Sequence, residues 1–253
     1  MIVRTLLVCG AVLAPIAAMS AQVAVQEGVW VGKGQVGLVL SQGNAESKNA
    51  NAAVDLARVD GRWKHAFHVG GLYGQSGEIT SAQRWDTAWQ TNYDLTSDLF
   101  TFGAFRYAAD RFSGFQYQAT LSGGLGYKLI NTEPTTLNVQ LGAGYRRSRP
   151  EIIVKDAAGE VISRTPLDTK SEAIATGGLD YMHVLTSTTS ITNKLLVEYG
   201  SSNTLLTNAF ALIVKMSDTL ALSVGVGVQR NSNPPAGLKK TDTVETVNLV
   251  FGF

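Results

Sequence analysis

The stretch Val247-Asn248-Leu249-Val250-Phe251-Gly252-Phe253 decides the fold. Successive side chains of a strand point to opposite faces. Val247, Leu249, Phe251 and Phe253 therefore share an apolar, aromatic face, and Asn248, Val250 and Gly252 share the other. An apolar strand with a free edge recruits other strands, and closing the sheet on itself removes that edge. The alternation recurs upstream. Leu121, Leu125, Tyr127 and Leu129 oppose Thr120, Ser122, Gly124, Gly126 and Lys128; Leu137, Val139, Leu141 and Tyr145 oppose Asn138, Gln140, Gly142, Gly144 and Arg146. Around 219–229, Leu220, Leu222, Val224, Val226 and Val228 oppose Ser223, Gly225, Gly227 and Gln229.

Residues 1–21 read as a secretory leader. Arg4 supplies the positive end, an apolar run follows, and Ala18, Ser20 and Ala21 supply the small residues of a cleavage site after Ser20 or Ala21. Cys9 falls inside the apolar run, so residues 22–253 contain no cysteine, which excludes a disulfide framework, a thiolate ligand and a cysteine nucleophile. With Arg4 set aside, 20 basic residues face 20 acidic ones, a balance that argues against nucleic acid as a partner. No later segment approaches the roughly 20 continuous apolar residues of a membrane helix. A chain of this kind spans a bilayer only as a closed barrel. The 26 glycines against 6 prolines suit sheet with tight turns, and composition alone leaves a periplasmic β-sandwich as the alternative.

Strand length separates the two. The alternation parses into twelve stretches: 30–42, 46–58, 62–75, 82–95, 99–112, 115–130, 135–149, 171–185, 189–201, 204–216, 219–231 and 240–253. These match the 9–11 tilted residues of a transmembrane strand better than the usual 5–6. Short connections alternate with longer ones, the longest being 150–170. The parse predicts an all-β, transmembrane, antiparallel up-and-down β-barrel of about 12 strands occupying 22–253. Both termini lie on the side of the short turns, the periplasm, and 150–170 is a long extracellular loop. Trp63, Trp85, Trp89, Tyr93, Phe105, Tyr107, Tyr127, Tyr145, Tyr181 and Tyr199 share the parity of the apolar faces, as interfacial girdles require.

Several segments together resemble one family: SQGNAES (41–47), ADRFSGFQYQATLSGGLGYKL (109–129), GYRRSR (144–149) and NSNPPAGLKKTDT…VNLVFGF (231–253). They are similar to the YdiY-like salt-induced outer-membrane proteins, a family of unknown function, from about Gly32 to Phe253. The resemblance implies a single barrel domain in the bacterial outer membrane and brings no catalytic residues. The chain end resembles the last strand of bacterial outer-membrane barrels, which implies that Phe251 and Phe253 act as an assembly signal for the barrel-assembly machinery.

Residues opposite the apolar faces line the lumen: Asp55, Lys64, Arg84, Asp86, Arg106, Asp110, Lys128, Arg146, Asp180, Lys194, Glu198 and Lys215. Both signs occur in similar number. A ring of one sign would give selectivity; the mixture gives either a narrow, weakly selective channel for small solutes or ions, or a lumen plugged by pairs. The second case is a closed structural barrel supporting the envelope under salt or osmotic stress. Twelve strands lie between the filled eight and the open sixteen. Inward Gly124, Gly126, Gly142 and Gly144 either ease curvature or form a groove, whose expected occupant is the loop Pro150–Lys170 folded as a hairpin about Asp156–Gly159. Arg147 and Arg149 face out at headgroup height, as snorkelling arginines or as contacts to lipopolysaccharide phosphates. Outer-membrane lipid and lipopolysaccharide are the expected surroundings.

The chain reads as no enzyme. Its histidines, His65, His68 and His183, are placed near the short-turn ends of their strands, away from the serines of the other rim. His65 and His68 alternate faces, so no metal or cofactor site is expected.

Overall fold

The computed structural model describes residues 27–41, 47–77, 79–156, 161–235 and 238–252. The expected leader, residues 42–46, the expected hairpin apex within 157–160 and Phe253 lie outside them. Among the described residues thirteen strands form: β1 (Trp30–Ser41), β2 (Ser47–Asp60), β3 (Trp63–Ser76), β4 (Ile79–Asp94), β5 (Leu99–Asp110), β6 (Phe115–Thr132), β7 (Thr135–Lys155), β8 (Val161–Pro166), β9 (Lys170–Val184), β10 (Thr189–Gly200), β11 (Thr204–Lys215), β12 (Leu220–Asn231) and β13 (Thr241–Gly252). Each barrel strand pairs antiparallel with its chain neighbours, and β1 pairs with β13, so twelve strands close on themselves. β8 pairs only with the extension of β7 and stands outside the ring.

Followed round the ring, the pairing register advances by about 16 residues, which tilts the strands by roughly 43° at ordinary strand spacings. Each residue then climbs about 2.4 Å along the barrel axis. Trp63 and Tyr73 mark the two ends of the outward face of β3, and Tyr127 and Tyr117 those of β6. Either pair, ten residues apart, brackets about 24 Å, close to the apolar band of a membrane barrel. Side chains within this band are outward, apolar and exposed, among them Val36, Val54, Val69, Leu121, Leu125, Leu141 and Val224. The girdle rings touch one another: Trp85, Tyr107 and Tyr117 run in series with centroids 5.0 and 5.9 Å apart, and Trp63 meets Tyr93 at 4.8 Å.

The polarity of the fold is thereby inverted: apolar groups face outward and polar groups are enclosed. Three of the short turns share one device. The Thr96 hydroxyl accepts from the amides of Asp98 (3.3 Å) and Leu99 (2.9 Å), Thr186 from Thr188 and Thr189, and Ser217 from Thr219 and Leu220. A side-chain oxygen placed at the start of a turn satisfies two amides that the ladder no longer reaches.

The expected strands coincide with the observed ones to within a few residues. The exception is the seventh, which continues past residue 149 to Lys155 because Glu151–Lys155 pair with Val161–Pro166.

Candidate functional site

Of the charged residues assigned to the lumen, Asp55, Arg84, Asp86, Arg146, Lys194 and Glu198 are buried, and Lys64, Arg106, Lys128 and Asp180 are held in ion pairs. Their parity is set locally by the strand, but their partners are set by the ring. Toward the long-loop end, Arg106 on β5 reaches across to Glu198 on β10, and Arg146 on β7 approaches the other oxygen of the same carboxylate at 3.7 Å. Arg146 also donates from Nε and Nη2 to Glu172 (3.2 and 2.6 Å) and to the Asn203 carbonyl. Glu198 is 1 % exposed and Arg146 2 %. A chain of two arginines and two carboxylates thus bridges the lumen, with Glu198 and Arg146 buried and Arg106 and Glu172 partly exposed. Around it Thr176 Oγ1, Thr207 Oγ1 and Glu198 Oε2 are buried without a hydrogen bond to protein.

A second cluster lies along β1 to β4. His68 Nδ1 sits 2.7 Å from Asp55 Oδ1 and its Nε2 3.1 Å from Asp86 Oδ2; Lys33 approaches Asp55 at 3.6 Å and Arg84 approaches Asp86 at 3.5 Å. The imidazole stands between the two carboxylates with both nitrogens engaged, so the three groups do not converge on a common point. Among the described residues no His/Cys/Asp/Glu group is placed to hold a metal ion. Lys194 lies 3.9 Å from Asp180. Near the short-turn end, Asp94 accepts from both Lys64 and Lys128 at 2.9 Å.

The long-loop mouth is crossed. β5–β6 and β12–β13 lie on opposite sides of the ring, yet the segment after β12 reaches the loop before β6: Leu238 and Pro235 pack against Gly114. Gly114 has φ +75°, and a Cβ there would run into both side chains. Beneath that strap, Arg84 Nη1 donates to Gln229 Oε1 across the lumen at 3.2 Å.

The family model described as "Protein of unknown function, DUF481" matches residues 34–253. The chain belongs to the DUF481 family. A curated relative, "Uncharacterized protein YdiY" of Escherichia coli (strain K12), is 24 % identical over 221 residues, covering 85 % of this chain and 80 % of its own. Among solved structures, the DUF481 chain is similar to the NanC porin (TM-score 0.44, 10 % identity, 88 % of this chain and 97 % of that one). It is also similar to the translocator domain of the autotransporter NalP from Neisseria meningitidis (0.47, 14 %, 88 % and 86 %) and to the KdgM porin (0.42, 12 %, 89 % and 99 %).

Two sequence expectations about the DUF481 lumen need correction. The inward glycines do not receive the loop Pro150–Lys170. The Phe100 ring occupies the space where a Gly126 side chain would stand, and Phe102 does the same at Gly142, while Gly124 and Gly144 lie against the backbone of the neighbouring strand. Both rings are buried. Phe100 and Phe102 share the inward parity of Arg106, a signal available in the sequence. The hairpin continues β7 beyond the barrel with Ile152, Val154 and Ile162 exposed, and is tied to the β5–β6 loop by Glu151, Arg164 and the Arg111 carbonyl. His68 also lies higher than expected, near mid-lumen rather than at a strand end, and its even parity with Lys64 places it inside. Lys33, Asp94 and Glu172 are further inward charges that the sequence reading passed over. Arg147 is exposed outward, and Arg149 donates to the Leu167 carbonyl at 3.3 Å.

Proposed function

We propose that this DUF481 barrel spans the bacterial outer membrane as a narrow, weakly selective channel for small ions, constricted toward the long-loop end by Glu198 between Arg106 and Arg146. The observation that carries this reading is the buried bridge itself. A barrel needing only to be filled is stabilised as well or better by apolar packing, because burying paired charges costs desolvation. A lumen built from Arg, Glu, Asp, His and Thr, with hydroxyl and carboxylate oxygens that protein leaves unbonded, suits a pathway that water and ions enter. The near balance of signs makes its selectivity weak. On this reading the short turns face the periplasm. Arg147 and Arg149 stand at outer-leaflet height, where guanidinium groups match lipopolysaccharide phosphates, and Phe251 and Phe253 serve the barrel-assembly machinery during insertion. No catalytic role is proposed.

The strap of Pro235 and Leu238 over the mouth favours a second reading, a closed barrel that supports the envelope under salt or osmotic stress. Single-channel recording in planar bilayers separates the two. The channel reading expects small discrete steps that scale with salt, and larger, anion-preferring steps for Glu198→Gln, which leaves Arg106 and Arg146 uncompensated. Silence from both proteins, each shown to be folded, establishes the closed barrel.

A further inference from the structure

The lipid-facing surface is not uniform around the ring. Tyr199 is the last Trp or Tyr of the sequence, so β11, β12 and β13 carry no such anchor at either edge of the apolar band. Each of β3 to β7 carries at least one Trp or Tyr, the residues suited to headgroup level. The same bare strands carry polarity inside the band. On β13 the outward series rises through Phe251, Leu249 and Val247 to Glu245, which is exposed and about 14 Å above Phe251. Within the chain, no ion pair or hydrogen bond to the Glu245 side chain occurs among the described residues. On β10 and β11, outward Asn193 and Asn208 bond to each other (2.9 and 3.4 Å). A charge on the lipid face of a barrel is destabilising in proportion to its depth.

A face without interfacial anchors and with a charge inside its apolar band is built for protein, not lipid. We propose that β11–β13 pack against the same face of a second copy of this chain, about a two-fold axis along the membrane normal between β12 and β13. The charges on the face are self-complementary. Arg230 on β12 is outward and exposed, and it pairs in register with Thr241, four residues beyond Glu245, so the two side chains are too far apart to meet within one chain. Across a two-fold axis, β12 of one copy faces β13 of the other. Arg230 then stands about 6 Å above Glu245 of the second copy, a drop that an arginine side chain covers. Each charge finds its partner twice, as an isologous interface requires. Between the two pairs, Val224, Val226 and Val228 present a smooth apolar ridge beside the axis.

The test uses single-cysteine variants of the full chain in isolated membranes, crosslinked with a short bis-maleimide. Val226→Cys is expected to give a dimer band. Leu121→Cys, at similar height on β6 across the barrel, is expected to give none. Glu245→Arg in the Val226→Cys background sets like charges opposite each other and should lower the dimer yield about tenfold or more. Adding Arg230→Glu re-pairs them and should restore it. Retention of the heat-modifiable folded band shows that each variant forms its barrel. Equal crosslinking at 121 and 226, none at 226, a product joined to a different protein, or no rescue by the double swap overturns the proposal.

Discussion

Glu198 is the hinge of the lumen, and a double-mutant cycle with Arg106 measures what the bridge contributes. Glu198→Gln keeps the side-chain shape and removes the charge. Arg106 then loses its ion-pair partner, whereas Arg146 keeps Glu172 at 2.6 Å and the Asn203 carbonyl. Stranding a buried charge costs about 3–5 kcal/mol, and because Arg146 remains paired the lower end, about 3 kcal/mol, is expected. Arg106→Gln leaves Glu198 facing Arg146 at 3.7 Å, so its cost is about 1–2 kcal/mol. The double variant strands neither partner and should lose only about 2–3 kcal/mol in total, a coupling of roughly 1.5–2 kcal/mol. The assay is urea unfolding of the lipid-inserted protein followed by tryptophan emission. Trp63, Trp85 and Trp89 stand on the outward face and report departure from the apolar band. The coupling should fall less with salt than that of a surface pair, because the Glu198 side chain is 1 % exposed. Additivity within about 0.5 kcal/mol would refute the claim that these side chains act as one bridge.

The inward rings and the mouth give further tests. Gly126→Val places a branched side chain where the Phe100 ring lies; overpacking of this kind costs about 1–3 kcal/mol. The folded band on a semi-native gel should weaken and return in Gly126→Ala combined with Phe100→Leu; full folding of Gly126→Val alone would contradict the packing. At the mouth, Gly114→Val adds a side chain against Pro235 and Leu238 at φ +75°; it should displace the strap at a cost of about 1–2 kcal/mol and raise conductance. Deletion of residues 152–163 should leave conductance unchanged. A rise on deletion alone would put the hairpin, not the strap, over the pore.

Reading the chain in steps of two was enough to find its barrel strands and the face each presents. That alternation follows from backbone geometry, and residue by residue it separated Leu121 from Thr120 and Tyr145 from Arg146. It also placed Asp55, Arg106, Arg146 and Glu198 inside. The strand count followed because the turns carry their own chemistry, as at Thr96, Thr186 and Ser217. Only the closed ring decided which inward groups meet. Arg106 and Glu198 are 92 residues apart in sequence, and the strap residues Pro235 and Leu238 lie far along the chain from Gly114. Their contacts depend on strand number, tilt and stagger acting together, none of which is encoded in any one strand. The glycine groove is a nearer case: Phe100 pairs directly with Gly126 across the β5–β6 ladder, so the register of one hairpin, and not closure, fills it with a ring instead of the long loop. Period-two patterning is a local property of the chain, whereas meeting across a lumen is a property of closure.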